Sequence, residues 1–206
     1  MFISPWLLGL VVLYLWPMIN SLRMSLFNWD LFTEPKFIGL GNYERMIQDE
    51  LFWRSLKNTV FYVGFRVPLV LVLALFVAIL LNQAIPGRNF LRTAYYLPVV
   101  TPQVAMFLLW TWMFEPNVGL INFALGFFGI EGPLWLGSMQ WAKPALVIVS
   151  AWSIGSIMVI FLAGLQGVPE QLYEAAELDG ANAWHKVLHV TLPLLTPVIF
   201  FNLIMG

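Results

Sequence analysis

His185 and His189 stand four residues apart, which on a helix puts both imidazoles on one face at the spacing of a metal-ligand pair. Lys186 follows His185, so the His-Glu-x-x-His arrangement that gives a zinc protease its base is missing. A wet face of a short helix accounts for the pair, and no metal is expected. The sequence has no cysteine, which removes thiolate nucleophiles, disulfides and Cys-ligated metals. It also has no G-x-x-x-x-G-K-[ST] phosphate loop, so the chain cannot hydrolyse ATP by that route; neither a cofactor nor a catalytic residue is expected. What polar chemistry remains sits in apolar surroundings. Arg66 is an ionisable side chain well inside an apolar run and therefore a functional suspect, with snorkelling to the outer surface as the competing reading. Pro98, Thr101, Pro102 and Gln103 crowd a short part of another apolar run. Each proline removes a backbone donor and loosens a carbonyl one turn earlier. Irregular backbone of that kind is tolerated at membrane depth where protein or a water-filled cavity satisfies it. These four residues and Arg66 are the candidates for a solute path, and a packing kink explains the prolines equally well.

Such residues need elements to hold them, and the composition says in which solvent. Of 206 residues, 60% are hydrophobic and only 10% charged, and the mean hydropathy is +0.81. Soluble domains run near 45–50% apolar and about 25% charged. Ten Lys+Arg and eleven Asp+Glu cannot coat a soluble domain of this length, so the bilayer must cover the rest. A net charge of −1 gives no field to draw nucleic acid. A spanning helix needs roughly 20 mostly apolar residues. Five stretches qualify or begin to, at about 2–22, 60–81, 94–114, 144–165 and 193–206. The fold class predicted is all-α, a polytopic transmembrane helix bundle forming a single domain over 1–206. The fifth stretch is too short to cross, so the chain is expected to lack its C-terminal end. The first has neither a basic flank nor a cleavage site and reads as a retained anchor whose N-terminus is also clipped. Ala151 and Gly155 form a small-xxx-small pair that, with Ser153 and Ser156, predicts close helix packing. Trp110, Trp112, Trp135 and Trp141 are expected to form an aromatic belt around an outer loop.

Residues 166–192 differ in kind from the spans beside them. Pro169 suits a first helical position and Glu170 a first turn; strong helix formers follow, and Gly180 stands where a helix would end. A second short helix is predicted from Asn182 as its N-cap to Pro193. Glu174-Ala175-Ala176, three residues, Gly180, nine residues, then Val190-Thr191-Leu192-Pro193 resembles the EAA motif of permease subunits of binding-protein-dependent ABC importers. Val190 for Ile is the one departure. The resemblance extends to the sugar-uptake branch, of the maltose and glycerol-phosphate type, through Phe37-Ile38-Gly39-Leu40-Gly41-Asn42-Tyr43, Asn58-Thr59, Arg92 to Pro98, and Trp112 to Asn122. It implies a type I importer permease of about six spans, in which Glu174, Ala175, Ala176, Asp179, Gly180, Leu192 and Pro193 couple to an ATPase. Ala175 and Ala176 would allow close approach, Glu174 would offer a charge, and Gly180 would permit a left-handed turn.

The implied partners are a dimer of ABC ATPase subunits, a second permease, an extracytoplasmic solute-binding protein, a sugar-like solute and membrane lipid. The place implied is the cytoplasmic (inner) membrane, with 166–192 in the cytoplasm. Charge alone points weakly the other way, since Arg23, Lys36, Arg45, Arg54 and Lys57 would then lie outside and only Arg88, Arg92 and Lys186 inside. Two rivals make different demands on the spans. A secondary transporter or channel would be expected to place acidic residues at membrane depth for ion coupling, and the five spans have none. A membrane-embedded enzyme would need a nucleophile and base or a metal cluster there, and neither is evident.

Overall fold

A computed structural model of the chain describes residues 2–205; Gly206, the last residue of the expected fifth span, lies outside the described residues. Nearly all regular structure is helical, and the chain divides between Thr59 and Val60 into two compact units. Among the described residues three helices are long and apolar enough to cross a membrane: α1 (Ser4–Met24), α3 (Glu50–Asn82) and α10 (Ala183–Met205). A fourth crossing is available if α7 (Ala142–Ser153) and α8 (Gly155–Gln166), bent by 49° at their junction, act as one span.

In the first unit, α1 leads into a two-stranded antiparallel hairpin, β1 (Phe27–Asn28) and β2 (Lys36–Phe37), whose Phe27 and Phe37 rings meet edge to face at 5.3 Å. Asp30 closes the hairpin loop by accepting the Thr33 hydroxyl at 2.7 Å and the backbone N–H groups of Thr33 and Phe32. The Thr33 hydroxyl, then the two amides, hold the Asp30 carboxyl below its ordinary pKa. Helix α2 (Gly41–Gln48) follows. Asn42 gives its amide hydrogens to the carbonyls of Ser25 and Phe27, both at 2.9 Å, and the Tyr43 hydroxyl meets that of Ser25 at 2.7 Å. These bonds give two residues of the 37–43 stretch a local structural task.

In the second unit, residues 94–114 are two helices rather than one, α4 (Arg88–Val100) and α5 (Gln103–Met113). The cause is Pro102: a residue before proline is driven out of the helical region, and Thr101 has ψ 134°. Pro98, inside α4, is not where the chain breaks. A short α6 (Leu120–Gly126) and the α7–α8 pair follow. One core packs Ala74, Ala78 and Leu81 of α3 against Met158, Phe161 and Leu165 of α8, with Leu195 of α10. Arg92 of α4 donates to the Leu81 carbonyl at 2.9 Å, a cation at the C-terminal end of α3 where the helix dipole favours one. A second core gathers Trp110, Phe114, Trp135, Ala145 and Val149. Trp110 and Trp135 are therefore packed inside the protein, a correction to the expected aromatic belt, whereas Trp112 and Trp141 are exposed.

Two helices widen into π turns, at Leu10–Leu15 and Val187–Thr191. In each, the residue just before a proline donates its N–H five residues back, Trp16 to Val11 and Leu192 to Val187. Pro17 and Pro193 would otherwise press their rings on the carbonyl four residues earlier, and the wider turn moves it aside. The helix expected to stop at Pro193 therefore continues unbroken as α10.

Candidate functional site

Where α4 breaks from α5, two carbonyls lose the donors a continuous helix would supply. Thr101 answers both: its N–H reaches the Pro98 carbonyl at 3.3 Å and its hydroxyl the Leu97 carbonyl at 3.0 Å. The α7–α8 bend lies close by. Ser150 and Ser153 turn their hydroxyls back onto carbonyls of their own helix, a habit that bends helices. Gly155 then lets α8 start against α4: a Cβ there would collide with the Tyr95 carbonyl and come within 3.0 Å of the Tyr96 Cα. The small-xxx-small pair thus packs a helix end on a backbone, with Gly155 as the member that cannot grow.

Between the two breaks lies a cavity of about 430 Å³, within the range of small-molecule sites. Of the candidate solute-path residues, Arg66, Pro98, Thr101 and Gln103 line it; Pro102 does not, and sits at the break behind it. Arg66 is half-buried. Ser150, Ser153, Ser156 and Asn202 complete the polar lining. Their i, i+3, i+6 spacing was a usable signal for the three serines, two of which the sequence assigns to packing. Asn202, 2% exposed and bonded through its amide to the Val198 carbonyl at 2.9 Å, announces itself only as an amide in an apolar run.

The loop after α5 is held from within. Glu115 accepts the backbone N–H groups of Val118 and Asn117, both at 2.7 Å, and its pKa is lowered chiefly by the Val118 amide and then by Asn117. Asn122 takes the Trp135 indole N–H at 2.6 Å and donates to the carbonyls of Pro116 and Pro133. These bonds explain the polar residues of the 112–122 stretch without a ligand.

Residues 166–192 form a helix, a turn and the start of a second helix. Helix α9 (Glu170–Leu178) begins after Pro169, which precedes the helix as its cap rather than opening it. It ends in a Schellman turn: the Gly180 N–H reaches the Glu177 carbonyl at 3.0 Å and the Ala181 N–H the Ala176 carbonyl at 2.9 Å. Gly180 has φ +80°, and nothing lies near where its Cβ would be. Asn182 caps α10 by accepting the His185 N–H at 2.9 Å. Two contacts fix the angle between the helices, Tyr173 hydroxyl to Thr191 hydroxyl at 3.0 Å and Lys186 to Glu177 at 3.1 Å. Glu174, Ala175, Asp179 and Gly180 are exposed and Ala176 half-buried. Leu178 is 90% and Trp184 66% exposed, so the turn presents two large apolar side chains that the motif alone did not single out. Leu192 and Pro193 lie inside α10. His185 and His189 stack at 5.9 Å, and no group of three or more metal-ligating side chains is found among the described residues.

A family model described as "Binding-protein-dependent transport system inner membrane component" matches residues 70–206. The chain is 45% identical, over 99% of its length and 67% of the relative's, to the "Probable ABC transporter permease protein YesP" of Bacillus subtilis (strain 168). It is 36% identical to the "Lactose transport system permease protein LacF" of Rhizobium radiobacter, over 99% of this chain and 69% of that one. In fold it is similar to a chain of a bacterial ABC transporter involved in the import of the acidic polysaccharide alginate. That likeness has TM-score 0.82 and 24% identity, covering 99% of this chain and 70% of the other.

Proposed function

This chain belongs to the family of binding-protein-dependent transport system inner membrane components, and from that premise we propose that it supplies half of a solute path and couples it to ATP hydrolysis elsewhere. It is a multi-pass permease subunit of a transporter. The solute proposed is a sugar or a related polar molecule, in keeping with relatives named for lactose, starch degradation products and trehalose/maltose. On this reading the chain crosses the cytoplasmic membrane five times, with the third and fourth crossings broken at Thr101–Pro102 and beside Gly155. A second permease completes the path, an extracytoplasmic binding protein delivers the solute, and a pair of ATPase subunits docks on the cytoplasmic α9–α10 turn.

The observation that carries the reading is that turn. Glu174, Ala175, Asp179 and Gly180 stand exposed beside Leu178 and Trp184 on a backbone locked by two Schellman bonds and two side-chain contacts. Such a surface suits a partner cleft that is apolar at its centre and carries a cation for Glu174. Arg66, Pro98, Thr101 and Gln103 would face the solute, while Pro102 sets the break. Alternating access follows if ATP-driven closure of the partner moves the turn and the helix continuous with it.

The test is Glu174→Ala in the complete reconstituted complex. Leaving the partner's charge unpaired in a buried contact costs about 3–5 kcal/mol, so the ATPase subunit should co-purify poorly and solute-stimulated hydrolysis should fall. The variant should still insert and pair with the second permease. Parental coupling and transport in Glu174→Ala would remove the docking role.

A further inference from the structure

Turns that face water are ordinarily built from Gly, Asn, Asp and Ser. The loop between β1 and β2 instead carries Trp29, Leu31 and Phe32, with Leu31 74% and Phe32 95% exposed. Leu31 has φ 70°, the left-handed conformation that suits Gly or Asn, and is the one non-glycine residue there among the described residues. Asp30 holds that backbone by accepting the Thr33 hydroxyl and the amides of Phe32 and Thr33, which also occupies the only carboxylate of 29–33. A fixed local backbone therefore displays two large apolar side chains that the chain leaves uncovered. Outliers of this kind point to function rather than to folding.

The position of the loop in the chain says what meets it. Helix α1 has 21 residues, roughly 31 Å at 1.5 Å each, which matches about 30 Å of hydrocarbon and puts Met24 at its edge. The hairpin begins three residues later, and its two-residue strands are only about 7 Å long. The headgroup layer is roughly 5–8 Å deep on each side, so the tip stays within its reach. Its apolar surface continues that of α1, none of whose apolar window is buried in protein. Arg23 in the last turn of α1 and Lys36 on β2 are exposed beside it, placed where lipid phosphates lie.

We propose that the tip of this hairpin is a lipid-binding element, Leu31 and Phe32 entering the headgroup layer of the leaflet into which α1 opens. The proposal rests on the reading that α1 is a membrane crossing.

This sequence has no cysteine, so single-cysteine variants report a chosen position once other cysteines in the complex are replaced. A bimane is attached at Glu34→Cys, beside the tip, and separately at Leu13→Cys, near the middle of α1. The complete complex of both permeases and the ATPase pair is placed in phosphatidylcholine nanodiscs whose lipids carry a nitroxide at the headgroup or in mid-chain. The Glu34 probe should be quenched by the headgroup nitroxide, and the Leu13 probe by the mid-chain one. Leu31→Ser with Phe32→Ser should lower the headgroup quenching at Glu34 at least about two-fold, since interfacial binding scales with buried apolar area, and leave Leu13 unchanged. A Glu34 probe quenched by iodide in water and by neither lipid would overturn the proposal. Equal headgroup quenching with the serine tip would overturn it too, because the tether from α1 would then account for the depth. Lipid quenching that vanishes when the solute-binding protein is added would make the tip a protein-docking surface and overturn the assignment to lipid. A Leu13 probe quenched by iodide and not by mid-chain lipid would remove α1 as a crossing, and the inference falls with that reading.

Discussion

The α9–α10 turn and the cavity are built in opposite ways. Consecutive residues make the turn: the Pro169 start, the Gly180 left-handed stop and the Asn182 cap are each a local backbone decision. Segments far apart in the chain make the cavity, with Arg66 on α3, Thr101 and Gln103 at the α4–α5 break, the serines of α7–α8 and Asn202 on α10. The turn is open, and a Cβ at Gly180 would meet nothing, whereas one at Gly155 would strike the backbone of α4. A change in the turn should therefore alter what the protein docks with, and a change beside the cavity should alter whether it packs at all.

A matched pair of glycine substitutions would break that comparison most decisively. Gly155→Ala should be the more damaging despite its smaller side chain, because the neighbouring atoms are backbone and cannot rotate away. Overpacking of this kind costs about 1–3 kcal/mol, read as a lower thermal midpoint of the purified permease pair together with lost transport. Gly180→Val should leave that midpoint close to parental. Forcing a β-branched residue into the left-handed region costs about 1–2 kcal/mol locally and misaims α10, so its mark should be uncoupled ATP hydrolysis. An exchanged pattern, with Gly155→Ala harmless and Gly180→Val unstable, would reverse the assignment of the two regions.

A smaller effect probes what fixes the turn's angle. Tyr173→Phe removes one part-buried hydroxyl pair with Thr191 and should cost about 0.5–1.5 kcal/mol, visible as faster amide exchange in α9 with unchanged exchange in α8. Equal loosening of both helices would mean that the turn is not a separate unit.

Smallest is a pH effect on the loop after α5. The Glu115 carboxyl is held below its ordinary value, first by the Val118 amide. Its contribution is then complete above the ordinary carboxylate range and lost as pH falls through the lower folded value. The difference in thermal midpoint between the parent and Glu115→Gln should be steady near neutrality and shrink on acidification. A difference that grew toward acid would carry the wrong sign.

The same contrast explains which features the sequence made legible. Gly180, Asn182 and the apolar runs follow from backbone preference and solvent, and each can be read within one turn of the residue concerned. The break after Val100 was half legible: two prolines marked trouble, but only the rule for the residue preceding proline decides between Pro98 and Pro102. Trp110 and Trp135 differ from the expected belt because a tryptophan near an interface and one in a core have the same neighbours in sequence; only Phe114 and Ala145, brought in by the fold, distinguish them. Ser150 and Asn202 carry no signal of a cavity in the sequence for the same reason, since the cavity that they line exists only after the helices assemble. Pro193 misled in the other direction, because a π turn absorbed the clash that would have ended the helix.

That absorbed clash has a geometric consequence. Because α10 runs unbroken from Ala183 to Met205, the residue lining the cavity at Asn202 and the residues beside the α9–α10 turn are points on one rod. Twenty residues at about 1.5 Å each separate Asn182 from Asn202 by roughly 30 Å. Pivoting such a rod by about 5° about the end beside the turn sweeps the far end through roughly 2.6 Å, nearly the length of a hydrogen bond. An angular displacement that is small at the turn is thus large enough at Asn202 to exchange one set of polar contacts for another.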